Sequence, residues 1–167
     1  MKLCIQQKVF SFRDRFYVTD EFGEERYYVE GEIFSLGKKL HVYDMQGREV
    51  AFIQQELLTF MPRFMVYVGE EQAAEIVKEF TFFRPSYRVD GPGWQVSGDF
   101  FAHEYEISDP VGPVVSISKE WFTWGDCYQL DISPSADQAL ALAVVLAIDC
   151  VLDQDNGGGI SFSFGGD

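Results

Sequence analysis

Cysteine, histidine and positive charge are all scarce in this chain, and each shortage removes a class of function. The three cysteines, Cys4, Cys127 and Cys150, are odd in number, far apart and form no CxxC pair. Neither a disulfide framework nor a paired-cysteine metal site is expected, and the usage fits a reducing, cytoplasmic setting. The two histidines, His41 and His103, belong to no HExxH motif, so zinc chemistry lacks a ligand set and no metal or cofactor is expected. Thirteen basic residues stand against 27 acidic ones, for a net charge of −14. Nucleic-acid binding, which needs several cations neutralising phosphates together, is not expected. The same field opposes peripheral contact with anionic lipid.

Long apolar runs are also missing. The N-terminal "MKLCIQQKVFSFRDRF" is broken by Gln and Arg and contains no export-signal core. The longest apolar run, Ala139 to Ile148, has ten residues, about half of the ~20 that cross a bilayer. Asp149 follows it at once and would lie in hydrocarbon. No membrane span is expected.

What is present is a β pattern in a chain long enough for one domain: 167 residues, 47% hydrophobic and 16% aromatic. Turn signals recur as "DEFG" at Asp20, "DMQG" at Asp44, "VGEE" at Val68, "DGPG" at Asp90 and "DPVG" at Asp109. Asp in first place hydrogen-bonds the following backbone and Gly accepts positive φ, so each reads as a hairpin tip. Period-two alternation between them places strands over Tyr27 to Phe34, Lys39 to Tyr43, Val50 to Gln54, Arg63 to Val68, Tyr87 to Asp90, Val114 to Lys119 and Tyr128 to Ile132. In "WQVSGDFFAHEYEI" the alternation slips by one residue between Phe100 and Phe101. A β-bulge there would absorb the slip and point Phe101, His103, Tyr105 and Ile107 inward. "EEQAAEIVKEF", Glu70 to Phe80, is helix-compatible by propensity.

The segment "DQALALAVVLAIDCVLDQ", Asp137 to Gln154, reads as a helix capped by Ser135, with Gln138 in capping-box register. It is apolar on every side, so it belongs in an interior. The only other material is strands, and the sheet must therefore wrap around it.

The stretches "DEFGEERYYVEGEIFSLGKKLHVYDMQGREVAFIQQ", "WQVSGDFFAHEYEISD", "VVSISKEW" and "ALAVVLAIDCV" resemble, in order and spacing, the LURP-one-related family. Its fold is shared with the tubby C-terminal domain and with phospholipid scramblases. The resemblance implies a mainly β fold: a closed antiparallel barrel of about twelve strands around a buried hydrophobic C-terminal helix. It implies one domain over residues 1–156, followed by a Gly-rich tail over 157–167. It implies no established reaction. Tubby domains bind phosphoinositide head groups through a basic pocket, which makes a phospholipid-associated tethering module one alternative.

Residue by residue, chemistry is sparse. His103 reads as a satisfied, semi-buried side chain, and Glu104 and Glu106 as a solvated strand face. "DQDNGGGISFSF" opens like a calcium loop at Asp153 and Asp155 and then fails, with Gly157 at a ligand position and Phe164 where the closing Glu is required. Cys127 has no histidine near it in sequence. Trp121 and Trp124 flank a turn and read as packing residues. Lys38, Lys39, Arg84 and Arg88 are the anion-binding candidates. A non-catalytic binding or scaffold domain with a protein partner is the leading expectation. The enzyme alternative needs His103 and a carboxylate brought together across strand ends.

Overall fold

The structure is a computed structural model that describes residues 1–6, 15–32, 34–83, 86–122 and 125–157; the side chains of 6, 120–122, 125, 126 and 155–157 lie outside the description. Among the described residues the strands are β1 (Lys2–Gln6), β2 (Phe16–Asp20), β3 (Glu25–Gly31), β4 (Lys39–Asp44), β5 (Glu49–Gln55) and β6 (Arg63–Val68). They continue as β7 (Glu71–Glu79), β8 (Ser86–Asp90), β9 (Trp94–Asp99), β10 (Glu104–Ser108), β11 (Pro113–Phe122) and β12 (Gly125–Ile132). A single helix, α1 (Gln138–Gly157), ends the described chain. Every strand pairs antiparallel with its sequence neighbour, and β12 closes on β1 from Lys2↔Asp131 to Gln6↔Cys127. Closure removes the free edges that an open sheet would present to other chains.

Alternation decides what faces inward. Leu40 and Val42, Ala51 and Ile53, and Phe64 and Val66 point to the interior from three successive strands and are buried there. The space they surround is filled by α1, whose residues from Ala141 to Ile148 are fully buried. A helix with its side chains is about 10–12 Å across. A barrel of about eight strands is filled by its own side chains, whereas twelve leave room for such a rod.

In a meander closed this way, successive connections alternate between the two ends of the barrel. All five sequence-predicted tips fall at one end, between β2 and β3, β4 and β5, β6 and β7, β8 and β9, and β10 and β11. Three share one device. Asp20 Oδ1 accepts from the Phe22 and Glu24 amides at 2.9 and 3.0 Å, and Asp44 Oδ1 from those of Gln46 and Arg48 at 2.9 and 3.0 Å. Asp109 Oδ1 accepts from Val111 and Gly112 at 2.8 and 2.9 Å. The chain leaves β12 at this end, turns through Ser133 to Asp137, and α1 runs down the barrel axis. The helix finishes at the other end, where Lys38 Nζ meets Asp153 Oδ2 at 2.6 Å.

Several expectations are corrected. The segment Glu70 to Phe80 holds a strand, β7 over Glu71–Glu79, and no helix: pairing of β7 with β6 and β8, with Ala74 and Ile76 turned inward, overrides propensity. The helix cap is Asp137, whose Oδ1 accepts from the Leu140 amide at 3.0 Å. Ser135 instead contacts Ser133 Oγ at 3.0 Å. The slip at Phe100 and Phe101 is a hairpin turn joining β9 to β10, with no bulge. Phe101 therefore faces solvent, while Phe100 folds back against Tyr87 and Tyr105. The strand expected through Phe34 stops at Gly31. Strands β1 and β2 carried no sequence assignment. The tail from 158 onward, with Phe164, lies outside the described residues.

Two outcomes test this architecture. Leu146 is fully buried, so Leu146→Asp should cost about 3–5 kcal/mol and abolish the cooperative thermal transition seen by circular dichroism. At Gly98, φ is +129° and a Cβ would lie 2.6 Å from both Glu104 O and Tyr105 Cα across the hairpin. Gly98→Ala should lower the melting temperature by several degrees, while an unchanged melt would show the two strands to be less close.

Candidate functional site

Charged and aromatic chemistry gathers in two places near the helix C-terminal end of the barrel, one buried and one exposed. The buried one centres on Asp149, the more deeply buried of the two carboxylates, with Asp44, that are buried among the described residues. Asp149 is 4% exposed. Tyr128, on β12, donates its hydroxyl to Asp149 Oδ2. His103 Nε2 lies 3.5 Å from Asp149 Oδ1, and the imidazole stacks on the Tyr128 ring at 4.5 Å. His103 reaches this position because its backbone is left-handed, with φ 55°, in the turn from β9 to β10. Burial pushes the Asp149 carboxyl above the usual carboxylate range, against the downward pull of His103 and Tyr128. Burial, and then the nearby Asp149 charge, also holds the Tyr105 and Tyr128 phenols well above their usual value. His103 Nδ1 and the Tyr105 hydroxyl have no hydrogen-bond partner among the described residues.

His103 is semi-buried, as the sequence reading has it, and it has a partner that the sequence does not show. Its carboxylate partner is supplied by the helix, far away in the chain. The couple resembles an acid/base pair in composition, yet Asp149 is enclosed and only the outer edge of the imidazole meets solvent. Its evident mechanical effect is to clamp the β9–β10 turn onto the helix.

The exposed place is the end of the barrel above that clamp. Between β3 and β4 the connection presents Phe34 and Leu36; between β5 and β6 it presents Leu57, Leu58 and Phe60. Between β7 and β8 stand Phe80, Phe82 and Phe83, and the β9–β10 turn adds Phe101. Phe34, Leu58, Phe60 and Phe83 are each more than 90% exposed. A groove of about 640 Å³ runs beside Phe83 and Phe101, floored by Val96 and Gly98. These connections follow every second strand, so the meander alone brings them to one rim.

The basic candidates do not converge. Lys38 pairs with Asp153, Lys39 Nζ lies 3.6 Å from Glu32, and Arg88 Nε meets both Asp90 oxygens at 2.9 Å. Arg88 sits on β8, four strands from the two lysines, and Arg84 lies outside the described residues. Glu104 is exposed, and its Oε1 accepts from the Lys119 amide at 3.0 Å. Glu106 is half-buried. Trp124 and the Trp121 side chain are outside the description. Cys127 is buried beside Cys4, whose thiol is pushed up to about 12, first by burial and then by hydrogen bonding to Cys127. Such a thiol is a poor nucleophile. His41 bridges Glu49 and Glu32 at 2.7 and 2.8 Å. Partial burial opposes its charged form, but the two carboxylates outweigh it and raise its pKa.

The sequence profile of the LURP-one-related family matches residues 1–149. The chain belongs to the LURP-one-related family. It is 34% identical over 155 residues to the uncharacterized protein YxjI of Bacillus subtilis (strain 168), covering 93% of this chain and 96% of that one. The X-ray structure of a protein from Arabidopsis thaliana has the same fold, with a TM-score of 0.64 and 15% identity over 90% of each chain. In this LURP-one-related barrel no helix among the described residues is long and apolar enough to cross a membrane.

The buried couple makes a pH-dependent prediction. The Asp149 pKa is raised in the folded protein, so the native state holds this proton more tightly than the unfolded chain does. That stabilisation is complete below the ordinary carboxylate value of 3.8 and is lost as pH rises through the raised value. Asn does not titrate, so the melting temperature of Asp149→Asn should gain on that of the wild-type LURP-one-related protein as pH rises across this window. A difference that stays constant with pH would contradict the assignment.

Proposed function

We propose that the protein acts by binding, without turnover, and that its docking surface is the apolar rim at the helix C-terminal end of the barrel. One observation carries this reading: among the described residues, nine large exposed apolar side chains belong to four connections at one end, whereas the short turns of the opposite end expose three, Phe22, Met45 and Val111. Single exposed apolar residues are ordinary on any surface, whereas phenylalanines and leucines gathered at one end of a barrel mark a contact site. The barrel interior supports the same reading, since α1 fills the space in which a carrier of this shape would hold a small ligand. An enzyme built on His103 and Asp149 has the right pair of groups, but the carboxylate is enclosed by the helix and strands around it.

A photoreactive amino acid introduced in place of Phe60, compared in cells with one in place of Met45 at the turn end, tests the surface. Adducts to protein or lipid should form from position 60 and be sparse from position 45. Equal yields from both positions, or adducts from 45 alone, would sink the proposal.

A further inference from the structure

We infer that this rim docks on a phospholipid bilayer, inserting its Phe and Leu side chains into the interface, with affinity set by apolar burial and little dependence on head-group charge. The inference rests on the rim being the docking surface and names its partner. The side chains concerned are spread around the rim, and the grooves beside Phe60 and Phe83, of about 440 and 640 Å³, have separate linings. Phe34, Leu58, Phe60 and Phe83 stand out separately from three connections and are more than 90% exposed. A protein partner would need a matching cavity for each of them. A bilayer interface accepts such tips without any complementary shape, because lipid chains flow around them, as they do around the apolar face of an interfacial helix.

The distribution of charge decides the orientation. The five turns at the opposite end, with the strand residues that flank them, carry ten carboxylates and one cation, Arg48. The four apolar connections and their flanking residues carry five carboxylates and three cations among the described residues. Those cations, Lys38, Lys39 and Arg63, each have a carboxylate partner, Arg63 Nη1 lying 3.2 Å from Glu75. Among the described residues of these four connections there is therefore no surplus of positive charge with which to grip an anionic head group. The rim is also the end least repelled by one. Strands of this length separate the two ends by roughly 20 Å. Over that distance ions at physiological strength, with a screening length of about 8 Å, suppress repulsion between the acidic turns and a membrane surface. A bilayer can thus approach the rim of a protein whose net charge is −14, and the balance of forces there is apolar.

The test is vesicle flotation of the full chain with phosphatidylcholine alone and with added phosphatidylserine, each at low and physiological salt. The variants are Phe60→Ser/Phe83→Ser at the rim and Met45→Ser at the turn end, with thermal melts confirming that both remain folded. Wild type and Met45→Ser should float with phosphatidylcholine vesicles and keep floating at physiological salt. The rim variant should partition at least about ten-fold less, as expected from two phenylalanines no longer leaving water. Flotation that requires phosphatidylserine and disappears at physiological salt would overturn the inference in favour of head-group electrostatics. Equal flotation of the rim variant and wild type would overturn it as well. Absence of flotation with protein adducts still forming at position 60 would remove the bilayer and leave the rim as a protein-docking surface. Absence of both would remove the two together.

Discussion

A helix that is apolar on every face has no stable position on a protein surface, and the burial of α1 is the constraint on which the remaining structure depends. One sheet face covers only one side of such a helix. Full coverage requires strands all around it, so the sheet closes and its inner face becomes predominantly apolar, as the buried residues of β4, β5 and β6 show. Closure in turn satisfies the backbone groups that edge strands would leave unpaired. The central helix and the absence of edges are two aspects of one solution.

Threading a helix through a closed meander also makes the two ends unlike. The chain enters from β12 at the end with the short aspartate turns, where Tyr27 donates to Gln138 at 2.6 Å and Asp137 caps the helix. At the other end three of the described connections are longer, and that end carries most of the exposed phenylalanines. Aspartate turns have their hydrogen bonds satisfied internally and tolerate water well. The longer connections hold apolar side chains away from the core, an arrangement costly for solubility unless a partner covers them. Function is accordingly sought at the rim, and the filled interior serves as its rigid support.

The buried couple of Asp149 with Tyr128 and His103 ties these two parts together. A carboxylate in an aliphatic core loses the solvation of its charge, and burial raises its pKa accordingly. Its partners come from β12 and from the turn that carries Phe101. The position of one rim connection is therefore coupled to the helix by a polar contact, His103 Nε2 lying 3.5 Å from Asp149 Oδ1, and by the stacking of His103 on Tyr128.

Much of the fold was legible before the structure. The five aspartate and glycine turns, most strands from Lys39 onward and the need to enclose the helix follow from local chemistry and from the apolar period, which act over a few residues. Local signals failed where pairing overrides them: Glu71–Glu79 has helical propensity and is a strand because β6 and β8 hold it. The helix cap moved two residues for a similar reason, since the exit from β12 decided where the turn could begin. The candidate site was largely illegible. Each exposed phenylalanine looks like any core residue in the sequence, and only the alternation of connections around a closed barrel brings them to one end. His103 and Asp149 carry no shared motif, because their meeting depends on how far α1 runs along the axis and on a left-handed residue in one hairpin. Composition and period are properties of neighbouring residues and can be read along the chain, whereas a rim and a buried pair exist only once distant segments have been placed in three dimensions.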